Sequence, residues 1–248
     1  MTLIERLYQA GDKASSHQTK HDLQHALEVL AASSKIVSII AKRQSHKFTA
    51  WETDVIIPLG AFLHDVGRSI DVDNHAVAGA KWAKDYLERL TLDNDTQRLP
   101  AEVIARVCNV IACHRSSTVL NTEFTDAAWA VVVIADKCVG DEERVRPWRA
   151  RILAVLTIFR LAWIPLRKGG VHDQVNFAIK AVSLVGQENK LLLKLKLDKR
   201  VCTPALVYQT YRDRFAACGK AAAYLGCDFV LDINGIKFGE GLGDPCAT

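Results

Sequence analysis

The sequence predicts a mainly α protein: a helical bundle over residues 1–168, a small C-terminal α+β domain over 171–240, and a tail over 241–248. Three observations carry this expectation. Apolar residues recur at spacings of three and four as far as about Leu166, and the period changes to two after Lys168-Gly169-Gly170. The chain is also long enough, at 248 residues with 49% hydrophobic, to bury a sizeable core. A net charge of +4 spread along it tolerates anionic small molecules but does not argue for nucleic acid.

Leu23, Ala26, Leu27, Leu30, Ile36, Val37 and Ile40 form the stripe of an amphipathic helix. Helical patterns follow over residues 53–64, 75–90, 101–113 and 126–139. Pro58 is expected to kink or restart the first of these, and Pro100 to sit at the first turn of the third. The stretch 126–135 is apolar nearly all round, as suits a helix at the centre of a bundle. The apolar run 152–166 is too short to span a bilayer and is broken by Arg160 and Pro165; with Phe159 and Trp163 it reads as a packing or dimer helix.

In the C-terminal part, residues 175–185 read as a strand and Gly186-Gln187-Glu188-Asn189 as a turn. Leu191, Leu193, Leu195 and Leu197 then alternate with Leu192, Lys194, Lys196 and Asp198, as a half-buried strand does. Thr203-Pro204 opens a helix running to Gly226, and Phe229, Leu231 and Ile233 alternate before an Asn234-Gly235 turn. The order is β-β-α-β. The seven cysteines form no C-x-x-C pair and are odd in number. With no signal-peptide pattern, a reducing, cytoplasmic setting without a membrane partner is the expectation.

Chemistry concentrates around the histidines. His64-Asp65 closes the apolar segment Gly60-Ala61-Phe62-Leu63, although neighbours on a helix diverge by about 100° and meet one ion only at a common edge. His25 lies upstream on a core-facing stripe, and Asp136 lies at the end of the most apolar helix. Buried carboxylates beside buried imidazoles need compensation, most often by a divalent cation. Two His and two Asp without thiolates suit iron, manganese, zinc or a similar ion.

Leu63-His64-Asp65-Val66-Gly67-Arg68, together with the ordered set His25, His64-Asp65 and Asp136, resembles the signature of the HD-domain metal-dependent phosphohydrolase superfamily. The likeness covers roughly residues 15–150. It implies an all-helical bundle, metal ligation by His25, His64, Asp65 and Asp136, and hydrolysis of a phosphate ester or anhydride. One or two divalent transition metals would serve, iron or manganese first, with zinc, magnesium, cobalt or nickel also suitable. His75, in Asn74-His75-Ala76-Val77-Ala78-Gly79-Ala80, and His114, after Val110-Ile111-Ala112-Cys113, resemble the extra ligands of dinuclear members, with Asp65 bridging. The alternative is that His75 merely starts a helix and His114 is a solvated helix end.

There are departures. The interval from Asp65 to His75 is short, Arg68 stands where Lys is frequent, and Arg115 rather than a second His follows His114. No Gly-Tyr-Pro motif is present, which disfavours a cyclic-di-GMP phosphodiesterase of the HD-GYP type. Arg68, Arg115, Lys137, Arg144 and Arg146 are the candidate phosphate donors, and Asp65, Arg68 and Lys137 the candidate catalytic groups. Arg144 and Arg146 could equally pair with Asp141, Glu142 and Glu143 on a wet surface.

His17 and His21 share helical spacing with His25 and are expected to be solvent-exposed at a helix start, while His46 and His172 receive no role. The C-terminal domain, which carries no candidate ligand, is assigned to docking, dimerisation or substrate selection. The implied partner is a small phosphorylated substrate such as a nucleotide, with a homodimer in reach and no nucleic acid expected. The segment from His75 to Ala80 and the run Arg144-Val145-Arg146-Pro147 are similar to HD-family hydrolases of diadenosine tetraphosphate. Two other readings remain: a diiron oxygenase on the same ligands, and a regulatory or ligand-binding module stabilised by metal.

Overall fold

The structure, a computed structural model, describes residues 1–16, 19–43, 46–92, 97–164 and 170–238. His17, the Lys168-Gly169 boundary and the tail lie outside the described residues. Helix α1 (Leu3–Ala14) opens on a capping box in which the Thr2 hydroxyl accepts from the Glu5 N–H and the Glu5 carboxylate accepts from the Thr2 N–H. Next come α2 (Leu23–Arg43), a π-helical turn (Glu52–Ile56) and α3 (Ile57–Leu63), with Pro58 in the first turn of α3, where it restarts the helix. A 3-10 turn (Val66–Ser69) leads to α4 (His75–Leu87), and a short hairpin of β1 (Thr91–Leu92) and β2 (Gln97–Arg98) follows. The helical part closes with α5 (Ala101–Cys113), α6 (Ser116–Asn121), α7 (Ala127–Cys138) and α8 (Pro147–Ile158).

Helix α7 is the axle. It is buried from Ala127 to Asp136, and α2, α3, α5 and a C-terminal helix pack around it. Asp126 caps its start by accepting from the Ala128 N–H, and the Trp129 indole donates to Cys113 O at 2.9 Å. By length and composition α2 could cross a bilayer, yet it buries Ala26, Val29, Ile36 and Ile40 inside the protein.

The C-terminal part runs α9 (Val171–Ala178), β3 (Ile179–Gln187), β4 (Lys190–Leu197), α10 (Pro204–Thr210), α11 (Arg212–Tyr224), β5 (Asp228–Ile233) and β6 (Ile236–Phe238). Its sheet has the order β3-β4-β5-β6; β4 and β5 are parallel across the α10–α11 connection, and the other pairs are antiparallel. Asn234 and Gly235 turn the chain with positive φ, as a tight hairpin requires. One continuous apolar core extends from Val29 on α2 to Phe238 on β6, so the two parts share their buried surface.

Three expected elements differ. The predicted strand over 175–185 is helical through Ala178 and extended only from Ile179, and the helix buries Gln174 and Asn176. The Gln174 amide donates to Ala162 O and Val201 O, and the Tyr211 hydroxyl donates to Asn176 Oδ1, so polar residues with internal partners mimic a strand's alternation. The single helix predicted from Thr203 breaks at Tyr211 into α10 and α11. The apolar run from Ile152 remains helical only to Ile158, after which Arg160 adopts φ 58°; Pro165 and Leu166 lie outside the described residues. Helix α8 buries Leu153 and leaves Trp148, Ile152, Val155 and Ile158 exposed.

Close backbone approach fixes the entry to α4. A Cβ on Gly67 would lie 2.1 Å from His75 O and 2.3 Å from Gly79 N, atoms that cannot step aside. Gly67→Ala is therefore expected to destabilise the protein by about 3 kcal/mol or more, at the upper end of overpacking effects. Urea denaturation checks this, and a loss below about 1 kcal/mol would show that α4 can shift freely.

Candidate metal centre

Five helices deliver six side chains to one point. His64 caps the C-terminus of α3, and Asp65 follows it out of the helix at φ −104°, ψ 2°. That departure removes the angular divergence that a continuing helix would impose, so both side chains face the same space. His25 comes from the first turn of α2, His75 from the start of α4, His114 from the C-cap of α5 and Asp136 from the last turn of α7. All six are buried.

Asp65 lies between two groups. Its Oδ2 is 3.4 Å from His64 Nε2 and 4.0 Å from His25 Nε2, and Asp136 Oδ1 is 3.3 Å and 3.7 Å from the His25 and His64 Nε2 atoms. Its Oδ1 is 3.3 Å from His75 Nε2 and 3.8 Å from His114 Nε2. Two atoms each bound about 2.1 Å from one ion lie at most about 4.2 Å apart, so every one of these separations fits a shared cation.

Ring orientation supplies the second test. His64, His75 and His114 place Nδ1 at 2.8, 2.9 and 2.7 Å from Ala61 O, Val72 O and Ile111 O, carbonyls three residues earlier. With Nδ1–H donating, each neutral ring turns a bare Nε2 lone pair inward. The Nε2 atoms of His75 and His114 face each other at 3.3 Å, and the Nε2 atoms of His25 and His64 are buried without hydrogen-bond partners among the described residues. Lone pairs confronting carboxylates and one another in a buried space are what a cation stabilises. The donor set therefore fits a divalent metal, and the two groups could hold one ion each.

The chain matches the HD domain family over residues 22–156, more than half of its length. It belongs to the HD-domain family. No curated protein matches the chain. The family binds divalent metals and includes metal-dependent phosphohydrolases.

In this HD domain burial favours the neutral form of three of the four imidazoles, those of His25, His75 and His114. Burial, with Arg144 nearby, lowers the His25 pKa to about 3, and burial with His64 and Lys137 does the same for His114. Burial opposes the charge of Asp65 and Asp136. The His64 and Arg68 charges nevertheless hold Asp65 well below the usual carboxylate range, and Lys137 and His25 hold Asp136 there. For His64, burial is outweighed by Asp65 and the pKa rises.

The site opens into a cavity of about 550 Å³ lined on one side by the ligand cluster. Of the expected phosphate donors, Arg68 donates from Nε to Asp65 Oδ1 at 3.1 Å, and Lys137 pairs with Asp136. Arg115 reaches the rim while donating to Asp73 O. Arg144 is buried on the wall and donates to Lys20 O rather than pairing with Asp141, Glu142 or Glu143. Arg146 leaves the set: it grips both carboxylate oxygens of Asp12 and does not line the cavity.

His21 also differs from its expected place. It precedes α2, is half-buried and lines the cavity with its Nδ1 on Thr19 O. Sequence reasoning missed His172, Asp173 and Asn176 of α9, Tyr211, and Arg214 of α11, which form the opposite wall together with Arg149 of α8. No local motif marked them. The one available signal was that His172-Asp173 begins a segment with buried spacing.

Two outcomes follow. His64→Ala and Asp65→Ala should each remove bound metal while leaving a folded chain, read by elemental analysis and circular dichroism; undiminished metal in both would refute the ligand assignment. Chelation should also make the protein acid-sensitive. His25 and His114 stay neutral in the folded chain down to about pH 3, whereas unfolded histidine charges near 6.5, so their contribution is present above 6.5 and lost as pH falls. Asp65 and Asp136 act in the same direction lower down, and the raised His64 pKa offsets part of the loss. The urea midpoint of EDTA-treated protein should fall between about pH 7 and pH 5; a rising midpoint would contradict the assignment.

Proposed function

We propose that the protein is a metal-dependent phosphohydrolase acting on an ester or anhydride of a small phosphorylated molecule of nucleotide size. The observation that carries this reading is the Asp65 carboxylate, with one oxygen toward His25 and His64, which Asp136 also approaches, and the other toward His75 and His114. His25, His64, Asp65 and Asp136 would hold one ion, and Asp65, His75 and His114 a second. When bound, such ions supply Lewis acidity toward phosphoryl oxygens and acidify a coordinated water.

The chain's own residues do the positioning. Arg68 fixes the Asp65 carboxylate through Oδ1, and Lys137 does the same for Asp136. The backbone carbonyls of Ala61, Val72 and Ile111 fix the imidazole rings, so the ligand atoms are set before substrate arrives. Arg115 and Arg144 on the wall are placed to donate to phosphate oxygens, and the donor fork of Arg suits that anion. The cavity volume of about 550 Å³ falls within the range of about 300–1,000 Å³ typical of small-molecule sites, which supports a substrate larger than free phosphate. The described cysteines are all free thiols, which supports a reducing, cytoplasmic location.

The same ligands could support oxygen chemistry, and the test separates the two. Purified protein supplied with Mn²⁺ or another divalent ion under anaerobic conditions should release phosphate or nucleotide from a panel of phosphorylated substrates. Asp65→Ala should reduce that rate more than about 100-fold. Strict dependence on iron and dioxygen, with no release otherwise, would replace the hydrolase reading by an oxygenase.

A further inference from the structure

Beside the ligand cluster, the cavity is walled by the 3-10 turn Glu142–Arg144 and by α8, α9 and α11, and the cations there are partnered unequally. Arg149 is buried and paired with Asp173 at 2.7 Å. Arg144 is 7% exposed, and its Nε and Nη2 reach only Lys20 O, at 3.1 and 3.0 Å. Arg214 extends from α11 across the end of α7, its Nη2 lying 3.4, 3.1 and 3.3 Å from the carbonyls of Asp136, Lys137 and Val139. Neither Arg144 nor Arg214 forms an ion pair with a carboxylate among the described residues. Carbonyl partners satisfy N–H groups but carry no full counter-charge, and a buried cation such as Arg144 is costly without an ion-pair partner.

Both guanidinium groups line the cavity that also exposes Asp65 and Asp136. They are near enough for Arg214 to depress the Arg144 pKa, after the larger effect of burial. The Arg214 Cζ lies over the Tyr211 ring, 4.5 Å from its centroid, and the Tyr211 hydroxyl donates to Asn176 Oδ1 at 2.7 Å. His172 lies beside the same ring, with centroids 5.6 Å apart. A guanidinium fork that faces a cavity is suited to bidentate binding of a tetrahedral oxyanion. Arg214, Tyr211 and His172 fall outside the matched family segment, whereas Arg144 and Arg149 fall inside it, so both parts of the chain build this wall.

We propose that Arg144 and Arg214 form a second anion subsite beside the metal centre, so that the preferred substrate carries a further phosphoryl group joined to the one that is cleaved. The proposal rests on the phosphohydrolase reading for the word substrate, but the subsite is tested by binding alone.

The test is calorimetric titration of the full chain with methylenediphosphonate and with methylphosphonate, which differ in the second anionic group. Titrations are run with metal present and again with the metal-depleted His64→Ala chain, because a metal ion alone would favour the diphosphonate. Wild-type and His64→Ala proteins should both prefer the diphosphonate, and Arg144→Gln and Arg214→Gln should each cut that preference by about tenfold. Arg214→Lys should restore only part of it, since the charge returns without the fork. An unchanged unfolding midpoint and circular dichroism spectrum show that a variant has kept its fold; if Arg214→Gln has not, Arg144→Gln decides.

Equal affinity for the two ligands in the metal-depleted chain, or a preference that survives in the folded Arg144→Gln variant, would overturn the subsite. Absence of turnover on every phosphate would instead remove the hydrolase reading while leaving the binding result intact.

Discussion

A carboxylate buried at the meeting point of five helices sets the terms for the rest of this molecule. Asp65 is almost without solvent, and removing a charge from water is tolerated only where other charges and donors compensate it. Arg68 supplies one hydrogen bond to it, and the Nε2 atoms of four imidazoles lie within 4.0 Å of its oxygens. That arrangement is electrostatically incomplete as protein alone, which is why metal and fold are linked: whatever binds the folded cluster and not the unfolded chain also stabilises the fold.

The burial of α7 follows from the same constraint. Asp136 must reach the cluster from the last turn of a helix that is apolar on all sides, so that helix has to be enclosed. Helices α2, α3 and α5 enclose it on the ligand side, and α11 covers it from the C-terminal part. Arg214 ties the two together by donating to carbonyls left without helical partners at the end of α7, including that of Asp136 itself. The C-terminal part thus takes part in shaping the cavity as well as completing the core.

Polar residues with internal partners explain where periodicity misleads. Residues 175–178 read as the start of a strand, yet they are helical, and the Gln174 and Asn176 side chains on that helix reach Ala162, Val201 and Tyr211. Arg144 and Arg146 illustrate the same point for charge. Both stand next to an acidic run, but Arg144 turns inward to Lys20 O and Arg146 reaches back to Asp12 on α1. A neighbour in sequence is only one of the partners a long side chain can choose.

The helical class, most helix limits in the first half and the candidate ligands could all be read directly from the chain, because they depend on local repetition and on residue order. Ala101–Cys113 and the Asp126-capped helix behind it follow from spacing and capping, and His64-Asp65 stands out by its motif. Folding in three dimensions decided which atoms face each other: that Asp65 divides its oxygens between two groups of imidazoles, that Arg146 is withdrawn, and that His172, Tyr211 and Arg214 complete the cavity. Those relations join residues from distant segments whose geometry is set by core packing and by the hydrogen bonds of buried polar groups. Neither leaves a periodic trace along the chain.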